Sequence, residues 1–146
     1  MEHGASIHGV AGEGWSLVNE EGLIPKEVLA AQIAFEKTGD QEALRSLGRL
    51  TFDDEALYQR CDFLIPAAVE LTINAKNAHR LRAKVIVEGA NGAISVEADE
   101  MLRAKGVIII PDVLAGTGGL ISSYYEYLSN IDRRKLSEEQ KIYQGL

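Results

Sequence analysis

Residues that could contact a small ligand cluster in three segments of this 146-residue chain, and each segment follows an apolar run of strand length. The segments are Pro66-Ala67-Ala68, then Glu88-Gly89-Ala90-Asn91-Gly92, and then the stretch from Pro111 through Gly116 to Gly119. Small side chains let a ligand approach the backbone closely. A single glycine after a strand more often only makes a turn. Three such segments together favour a cleft for a nucleotide or a dinucleotide.

The closely spaced glycines do not match a pyrophosphate-binding loop. Gly116 and Gly118 are followed by Ile121 at the position where the fingerprint requires a third glycine. The earlier pair, Gly12 and Gly14, is followed there by Leu17. The sequence therefore predicts a nucleotide cleft that lacks the phosphate fingerprint.

The other reactive side chains predict neither a catalytic group nor a metal site. His3, His8 and His79 are scattered and lack the spacing of a helical metal site. Cys61 is the single cysteine, and we interpret it as a packed thiol. Because no nucleophile with an adjacent base can be identified, we predict no catalytic residue and no metal ligand within this chain.

Charge and hydropathy exclude two classes of partner. Acidic residues outnumber basic ones by 22 to 15, which gives a formal charge of −7 and repels phosphate backbones, so we expect no nucleic-acid partner. The longest apolar run covers residues 63–69, far short of the roughly 20 residues that span a bilayer. The amino terminus lacks the features of a secretory signal, and the lone Cys61 cannot form an internal disulfide. We therefore expect a cytoplasmic location and no membrane partner.

Glycine, proline and capping residues divide the chain into alternating strands and helices. Pro25 is tolerated at a first helical position, Asp53 or Asp54 can cap a helix, and Ser95 can cap another. We predict strands over residues 5–11, 62–66, 84–88 and 107–110, and helices over residues 25–37, 41–47, 55–60, 96–105 and 118–129. The last helix carries a broad apolar stripe made of Leu120, Ile121, Tyr124, Tyr125 and Leu128.

This alternation predicts an α/β fold with a Rossmann-like, open and mostly parallel sheet flanked by helices. The β-branched runs at residues 84–88 and 107–110 are typical of central strands covered on both faces, joined by a βαβ crossover. Ligands bind at the carboxyl ends of such strands, where the three segments lie. We assign residues 1–130 to one domain and residues 131–146 to a charged tail.

Several short strings between residues 62 and 130 carry a family resemblance. They are Asp62-Phe-Leu-Ile-Pro-Ala-Ala-Val-Glu70, Asn77-Ala78, Val87-Glu-Gly-Ala-Asn-Gly92, Glu97-Ala-Asp99, Ile110-Pro-Asp112, Gly118-Gly119 and Ser123-Tyr-Tyr-Glu126 with Asn130. In order and spacing they resemble the carboxyl-terminal NAD(P)-binding domain of the glutamate/leucine/phenylalanine/valine dehydrogenases, and within that family the glutamate-specific enzymes. More weakly, residues 5–28 resemble the second strand of that domain and its following helix.

The resemblance implies positions for an NAD or NADP cofactor. The backbone of Ala67 and Ala68, together with Asn91, would line the nicotinamide-ribose part of the cleft, and Gly89 would allow close approach. Gly116 stands where the family usually has an asparagine near the nicotinamide. The acidic residue that holds the adenosine ribose would align near Gly12, so the choice between NAD and NADP stays open.

The resemblance also implies a substrate pocket. Leu120 and Ser123 are three residues apart on the last predicted helix, hence on one face, and they match positions that shape the amino-acid side-chain pocket. A serine hydroxyl there suits the side-chain carboxylate of glutamate. A hydroxyl that only satisfies a helix carbonyl is the alternative.

Compared with the family, the sequence begins after the first strand and phosphate loop, and the amino-terminal domain with the catalytic lysine and aspartate is missing. We expect an incomplete domain of a glutamate-type dehydrogenase, an oxidoreductase of amino-acid metabolism that is inactive as an isolated, truncated chain. A sheet without its central strand exposes unpaired edges, which predicts a homo-oligomer or association with the missing domain. The alternatives are a non-catalytic α/β interaction or regulatory module derived from such an enzyme, or an unrelated nucleotide-binding protein.

Overall fold

The computed structural model describes residues 4–132, which fall into two compact units. The hairpin unit comprises residues 4–64 and 77–84, and the crossover unit comprises residues 65–76 and 85–132. The strands are β1 (Ile7–Gly12), β2 (Trp15–Leu23), β3 (Arg49–Thr51), β4 (Phe63–Leu64), β5 (Val85–Val87) and β6 (Ile108–Ile110). The α-helices are α1 (Pro25–Thr38), α2 (Glu42–Arg45), α3 (Val96–Ala104), α4 (Asp112–Ala115) and α5 (Thr117–Asp132), and two 3₁₀ helices cover Glu55–Tyr58 and Ala78–Arg80.

The hairpin unit is built on an antiparallel sheet in the order β1-β2-β3. The sequence predicts one strand that runs through glycines into helix α1, and this expectation is wrong because β2 occupies residues 15–23. Gly12 pairs with Trp15, and Gly14 has a φ of +75°, which allows the tight turn between the strands. Residues 15–18 are all buried, so the apolar/polar alternation that signals a strand is absent there.

Helix α1 begins and ends as the sequence predicts. Pro25 occupies its first turn, and Gly39 closes it in the left-handed conformation, with its amide donating to the carbonyl of Phe35 at 2.8 Å. The helix packs onto the sheet through one apolar cluster of the hairpin unit, which consists of Trp15, Leu17, Leu23, Val28, Ala31, Leu44 and Leu50. Large buried side chains therefore hold this unit together.

The short elements of the hairpin unit differ in detail from prediction. The helix expected over residues 55–60 is a single 3₁₀ turn, and Asp53, not Asp54, stabilises its start by accepting the Glu55 amide at 3.0 Å. The predicted strand over residues 62–66 forms only at Phe63–Leu64. The pyrrolidine ring of Pro66 removes a backbone donor from that run, which limits the strand.

The crossover unit contains the predicted βαβ crossover. Strands β5 and β6 pair in parallel, with Ile86 opposite Ile109, and α3 lies between them in sequence. The Ser95 hydroxyl accepts the Ala98 amide at 3.3 Å, which confirms the predicted cap. The expectation that both faces of β6 are covered is wrong, because the side chain of Ile108 is 62% exposed. β6 lies at a sheet edge, and no described element covers that side chain.

The last helix is longer and more exposed than predicted. α5 extends over Thr117–Asp132, and of its apolar stripe Leu120 and Tyr124 are mostly exposed. Ile121, Tyr125 and Leu128 are half-buried. The predicted charged tail falls largely on residues 133–146, outside the described residues. Within residues 4–132, no helix is both long enough and apolar enough to span a membrane.

Candidate functional site

An open hollow of about 580 Å³ lies in the crossover unit, where the chain leaves β5. It is lined by Ala67, Ala68, Val69, Glu70, Gly89, Ala90 and Asn91. Four of the five residues predicted to bind a cofactor are therefore brought together. They come from two of the three glycine-rich or small-residue segments that the sequence singles out.

Backbone hydrogen bonds join the two walls of the hollow. The amides of Gly89 and Ala90 both donate to the carbonyl of Pro66 at 3.0 Å. A Cβ atom placed on Gly89 would lie 2.9 Å from the Cβ of Ala67, closer than real Cβ atoms approach one another. Only glycine fits at position 89 without a shift, and the absent side chain leaves the backbone accessible to a ligand.

The lining of the hollow is small, exposed and nearly free of charge. Glu70 is the one charged residue among the seven, and Asn91 supplies an exposed amide side chain that can donate and accept hydrogen bonds. None of the seven is lysine or arginine, which would bind a phosphate. The surface therefore suits a neutral polar group rather than the phosphate-bearing part of a nucleotide.

The remaining predicted residues lie on α4 and α5. Gly116 follows α4 and its amide donates to the Asp112 carbonyl at 2.6 Å. Leu120 and Ser123 are exposed on α5, three residues apart. None of these residues, nor Gly118, is among the residues that line the hollow.

Two carboxylates, whose role the sequence does not predict although both lie in the segments singled out above, hold the loop that carries Asn91. The Asp112 Oδ2 atom accepts the Gly92 amide at 2.8 Å, and the Glu88 Oε1 atom accepts the Ile94 amide at 2.9 Å. Both residues occur in the strings that carry the family resemblance, but their partners lie 20 and six residues away. Such pairings cannot be deduced from short-range spacing.

A second hollow, of about 370 Å³, lies in the hairpin unit. Its lining residues are Val18, Asn19, Glu20, Arg45, Ser46, Leu47, Gly48 and Arg49. Both guanidinium groups have partners, since Arg45 donates to the Gln41 side chain at 2.9 Å and Arg49 pairs with Glu55, whose hydrogen bond raises the pKa of Arg49. We call this the arginine hollow, and nothing in its chemistry matches the predicted site.

No side chain fits at the position where an acidic residue is expected to bind the adenosine ribose. A side chain at Gly12 would overlap the indole ring of Trp15, so only glycine fits there. The neighbouring Glu13 is exposed in the turn of the hairpin. The hairpin geometry thus leaves no room for an acidic side chain at this position.

Carboxyl groups with lowered pKa values lie outside the hollow. Hydrogen bonds from Thr51 and from the Glu55 amide lower the pKa of Asp53, and Lys84 lowers that of Asp62. Over residues 4–132, no three His, Cys, Asp or Glu residues are placed to hold a metal ion. These shifts accompany a turn and a surface ion pair rather than an acid–base centre.

A family model described as Glutamate/Leucine/Phenylalanine/Valine dehydrogenase matches residues 1–144. An NADP-specific glutamate dehydrogenase of Saccharolobus shibatae is 39% identical over 139 residues, which cover 95% of this chain and 32% of that relative. A catabolic NAD-specific glutamate dehydrogenase of Bacillus subtilis is 34% identical, over 94% of this chain and 31% of the relative.

The crystal structure of the hetero-hexameric glutamate dehydrogenase of Thermus thermophilus in a leucine-bound form has a similar fold. The TM-score is 0.75 at 28% identity, over 95% of this chain and 31% of that one. The predicted fold class, an incomplete Rossmann-like α/β domain, is confirmed by this match. The chain spans about a third of the length of the relatives it matches.

Proposed function

We propose, from the premise that this chain belongs to the glutamate/leucine/phenylalanine/valine dehydrogenase family, that it is part of the NAD(P)-binding domain of a glutamate dehydrogenase. The observation that carries the proposal is the hollow between Ala67 and Asn91, at the end of a parallel strand and opened by Gly89. The relatives named as glutamate dehydrogenases support the choice of substrate within the family.

The proposed reaction converts L-glutamate, NAD(P)⁺ and water into 2-oxoglutarate, ammonium, NAD(P)H and a proton. A bound nicotinamide supplies the hydride chemistry, and the protein supplies binding and orientation. The backbone of Ala67 and Ala68 forms one wall for the nicotinamide-ribose group. Gly89 admits that group to the opposite wall, and the Asn91 amide offers it hydrogen bonds.

The lining chemistry supports the nicotinamide-ribose half of the cofactor as the occupant. The nicotinamide of NAD(P)H is flat, uncharged and polar, which matches a surface of small side chains with one amide. The absence of lysine and arginine from the seven lining residues argues against the pyrophosphate as the occupant. Relatives named for NAD and for NADP both occur, and Gly12 carries no acidic side chain, so we propose a nicotinamide cofactor of either form.

Substrate contacts are proposed on α5. Leu120 and Ser123 share one helix face and both are exposed, as a pocket wall requires before the rest of an active site covers it. The Ser123 hydroxyl would hydrogen-bond the side-chain carboxylate of glutamate. Gly116, at the end of α4, is proposed to approach the nicotinamide through its backbone.

The proposed activity depends on assembly. We place no catalytic residue in this chain and expect turnover only when the lysine- and aspartate-bearing half of such an enzyme is supplied, through homo-oligomers or association with that half. Exposed apolar residues on α4 and α5 support a covered state, with Val113 78%, Leu114 63% and Leu120 71% exposed.

Cofactor binding by the full 146-residue chain tests the proposal. Saturation-transfer NMR with NADH and NADPH should give a signal, and Asn91→Ala should weaken binding about tenfold, the effect of one lost hydrogen bond of ~1.4 kcal/mol. The matched control is Asn130→Ala, because Asn130 is also exposed but lies on α5.

A second arm tests the chemistry. Adding the catalytic half should produce glutamate-dependent reduction of NAD(P)⁺, and Ser123→Ala should lower it with glutamate more than with an apolar amino acid. Absence of both binding and restored reduction would leave the non-catalytic interaction module as the better account.

A further inference from the structure

Two carboxylates, those of Glu88 and Asp112, hold the loop between β5 and α3 through hydrogen bonds to its backbone amides. Asp112 stands at the start of α4, and its two oxygens accept two different amides. Oδ2 accepts from Gly92 at 2.8 Å, and Oδ1 accepts from Val113 at 2.6 Å. One carboxylate therefore connects the loop to the first turn of the helix after β6, and charge-assisted bonds of this kind are stronger than neutral ones.

Glu88 fastens the same loop from its other end. Its backbone amide donates to the Ile110 carbonyl at 3.0 Å, which continues the β5-β6 pairing. Its side chain then crosses back, so that Oε1 accepts the Ile94 amide at 2.9 Å. The hydrogen bond between the Glu88 side chain and the Ile94 amide thus joins the two ends of the loop formed by residues 89–93.

The bond between Glu88 and Ile94 is formed by a buried carboxylate, not by a mobile surface side chain. The residue is 7% exposed, and burying a carboxylate costs free energy that an apolar side chain would avoid. Two interactions compensate this cost: the bond to Ile94, and the positive charge of Arg103, whose pKa the Glu88 carboxylate raises. Gly92 has a φ of +57°, so the loop also needs a conformation that most residues disfavour.

We propose that Glu88 and Asp112 are positioning residues that fix the Gly89–Gly92 loop before a ligand arrives. Fixing the loop in advance lowers the entropy cost of binding, because the Gly89 backbone and Asn91 need not be ordered by the ligand. The identity of that ligand rests on the proposed function, whereas the fastening of the loop does not.

Paired variants separate positioning from packing. Glu88→Met and Glu88→Gln have similar length, but only glutamine keeps an oxygen that can accept the Ile94 amide. Asp112→Ala removes both bonds, and Asp112→Asn keeps one acceptor oxygen. Glu100→Ala and Glu97→Ala, at exposed positions of α3, are the controls for loss of a negative charge.

Two readouts are measured on each full-length variant: amide hydrogen exchange at Gly92 and Ile94, and the dissociation constant for NADH by NMR titration. We expect Glu88→Met and Asp112→Ala to speed exchange at the amide they release and to weaken NADH binding about tenfold. Glu88→Gln should stay within about twofold of wild type, and the controls should not change. Unchanged exchange, or faster exchange with wild-type NADH affinity, would overturn the positioning role.

The design distinguishes this inference from the proposed function. If wild-type protein bound no NADH, the proposed function would fail. Hydrogen exchange at Gly92 and Ile94 would still test whether Glu88 and Asp112 hold the loop. Should Glu88→Met fail to fold, Asp112→Ala against Asp112→Asn provides the same comparison at a half-buried position.

Discussion

Both units of this chain bury apolar side chains, Leu17 and Leu44 in the hairpin unit and Ile86 and Leu102 in the crossover unit, but they differ in what surrounds that core. In the hairpin unit, large apolar side chains such as Trp15 and Leu17 meet in one cluster with α1. In the crossover unit, the strands are three residues long, and the loops that follow them are held by hydrogen bonds to Pro66, Glu88 and Asp112. The candidate site lies in the second kind of structure.

A ligand can be accommodated in the crossover unit because its loops stay open to solvent. A close-packed cluster leaves no backbone exposed, whereas loops fastened by their own amides can keep small residues open to solvent. Ala67, Gly89 and Asn91 are all exposed, and the backbone between them is held where the Gly89 and Ala90 amides donate to the Pro66 carbonyl. Fixed geometry with open access is what a binding surface requires.

The largest expected effect removes a side chain from the cluster of the hairpin unit. Leu17 is fully buried, so Leu17→Ala should lower the free energy of unfolding by about 3 kcal/mol through lost burial and a residual cavity. Urea denaturation followed by tryptophan fluorescence measures this change. Leu29→Ala is the matched control, since Leu29 is 57% exposed, and an equal loss in both variants would contradict the account of this cluster.

A smaller effect follows from adding one methyl group to the crossover unit. Gly89→Ala brings a Cβ within 2.9 Å of the Ala67 Cβ, and we expect a loss of about 2 kcal/mol together with weaker NADH binding. Gly119→Ala meets nothing within 4 Å on α5 and should stabilise the chain by up to about 1 kcal/mol. Urea denaturation of both variants checks the contrast. If Gly89→Ala were neutral, the close approach of the two walls would be wrong.

Loss of a helix cap should have a still smaller effect. Ser95→Ala removes the acceptor of the Ala98 amide at the start of α3, which should cost about 1 kcal/mol. Ser95→Asp restores an acceptor and adds a favourable charge at the helix amino terminus, so it should match or exceed wild type. Thermal denaturation ranks the three proteins, and any order that places alanine above aspartate would refute this role of Ser95.

The smallest expected effect is a change in how the stability of the chain depends on pH in the acidic range. Hydrogen bonds from Thr51 and Glu55 lower the pKa of Asp53 below its ordinary value of 3.8. Because the folded pKa is the lower one, these bonds stabilise the chain above the unfolded pKa, and the contribution is lost as the pH falls through the folded pKa. Urea midpoints measured from neutral pH to below about pH 4 should therefore fall less for Asp53→Asn than for wild type.

Asp54 provides the control for this acid response. It makes no capping bond from its side chain, so Asp54→Asn removes one carboxyl group while leaving the bonds from Thr51 and Glu55 to Asp53 in place. If Asp54→Asn flattened the curve as much as Asp53→Asn, the bonds to Thr51 and Glu55 would not be its source.

The sequence predicts best those features that depend on neighbouring residues. Pro25 and Gly39 mark the ends of α1, and Ser95 marks the start of α3, because a fixed φ, a positive φ and a capping oxygen act locally. The β-branched runs also predict β5 and β6. These signals need no knowledge of the tertiary structure.

Features that depend on distant residues escape the same reasoning. Strand β2 lacks alternation because tertiary packing buries both of its faces at residues 15–18. Ile108 is exposed although its sequence is typical of a buried strand. Asp112 accepts a hydrogen bond from an amide 20 residues away. Gly116 belongs to a glycine-rich segment that is typical of a ligand cleft, but it does not line the hollow. Composition identifies candidate residues, and only the fold decides which of them meet.

The most direct test of the central claim is a two-dimensional ¹H–¹⁵N NMR titration of the full chain with NADH. We expect saturable shifts that are largest at the amides of Gly89, Ala90 and Asn91, with no response in the arginine hollow at residues 18–20 and 45–49. Shifts confined to the arginine hollow, or none at any concentration of NADH, would contradict the claim.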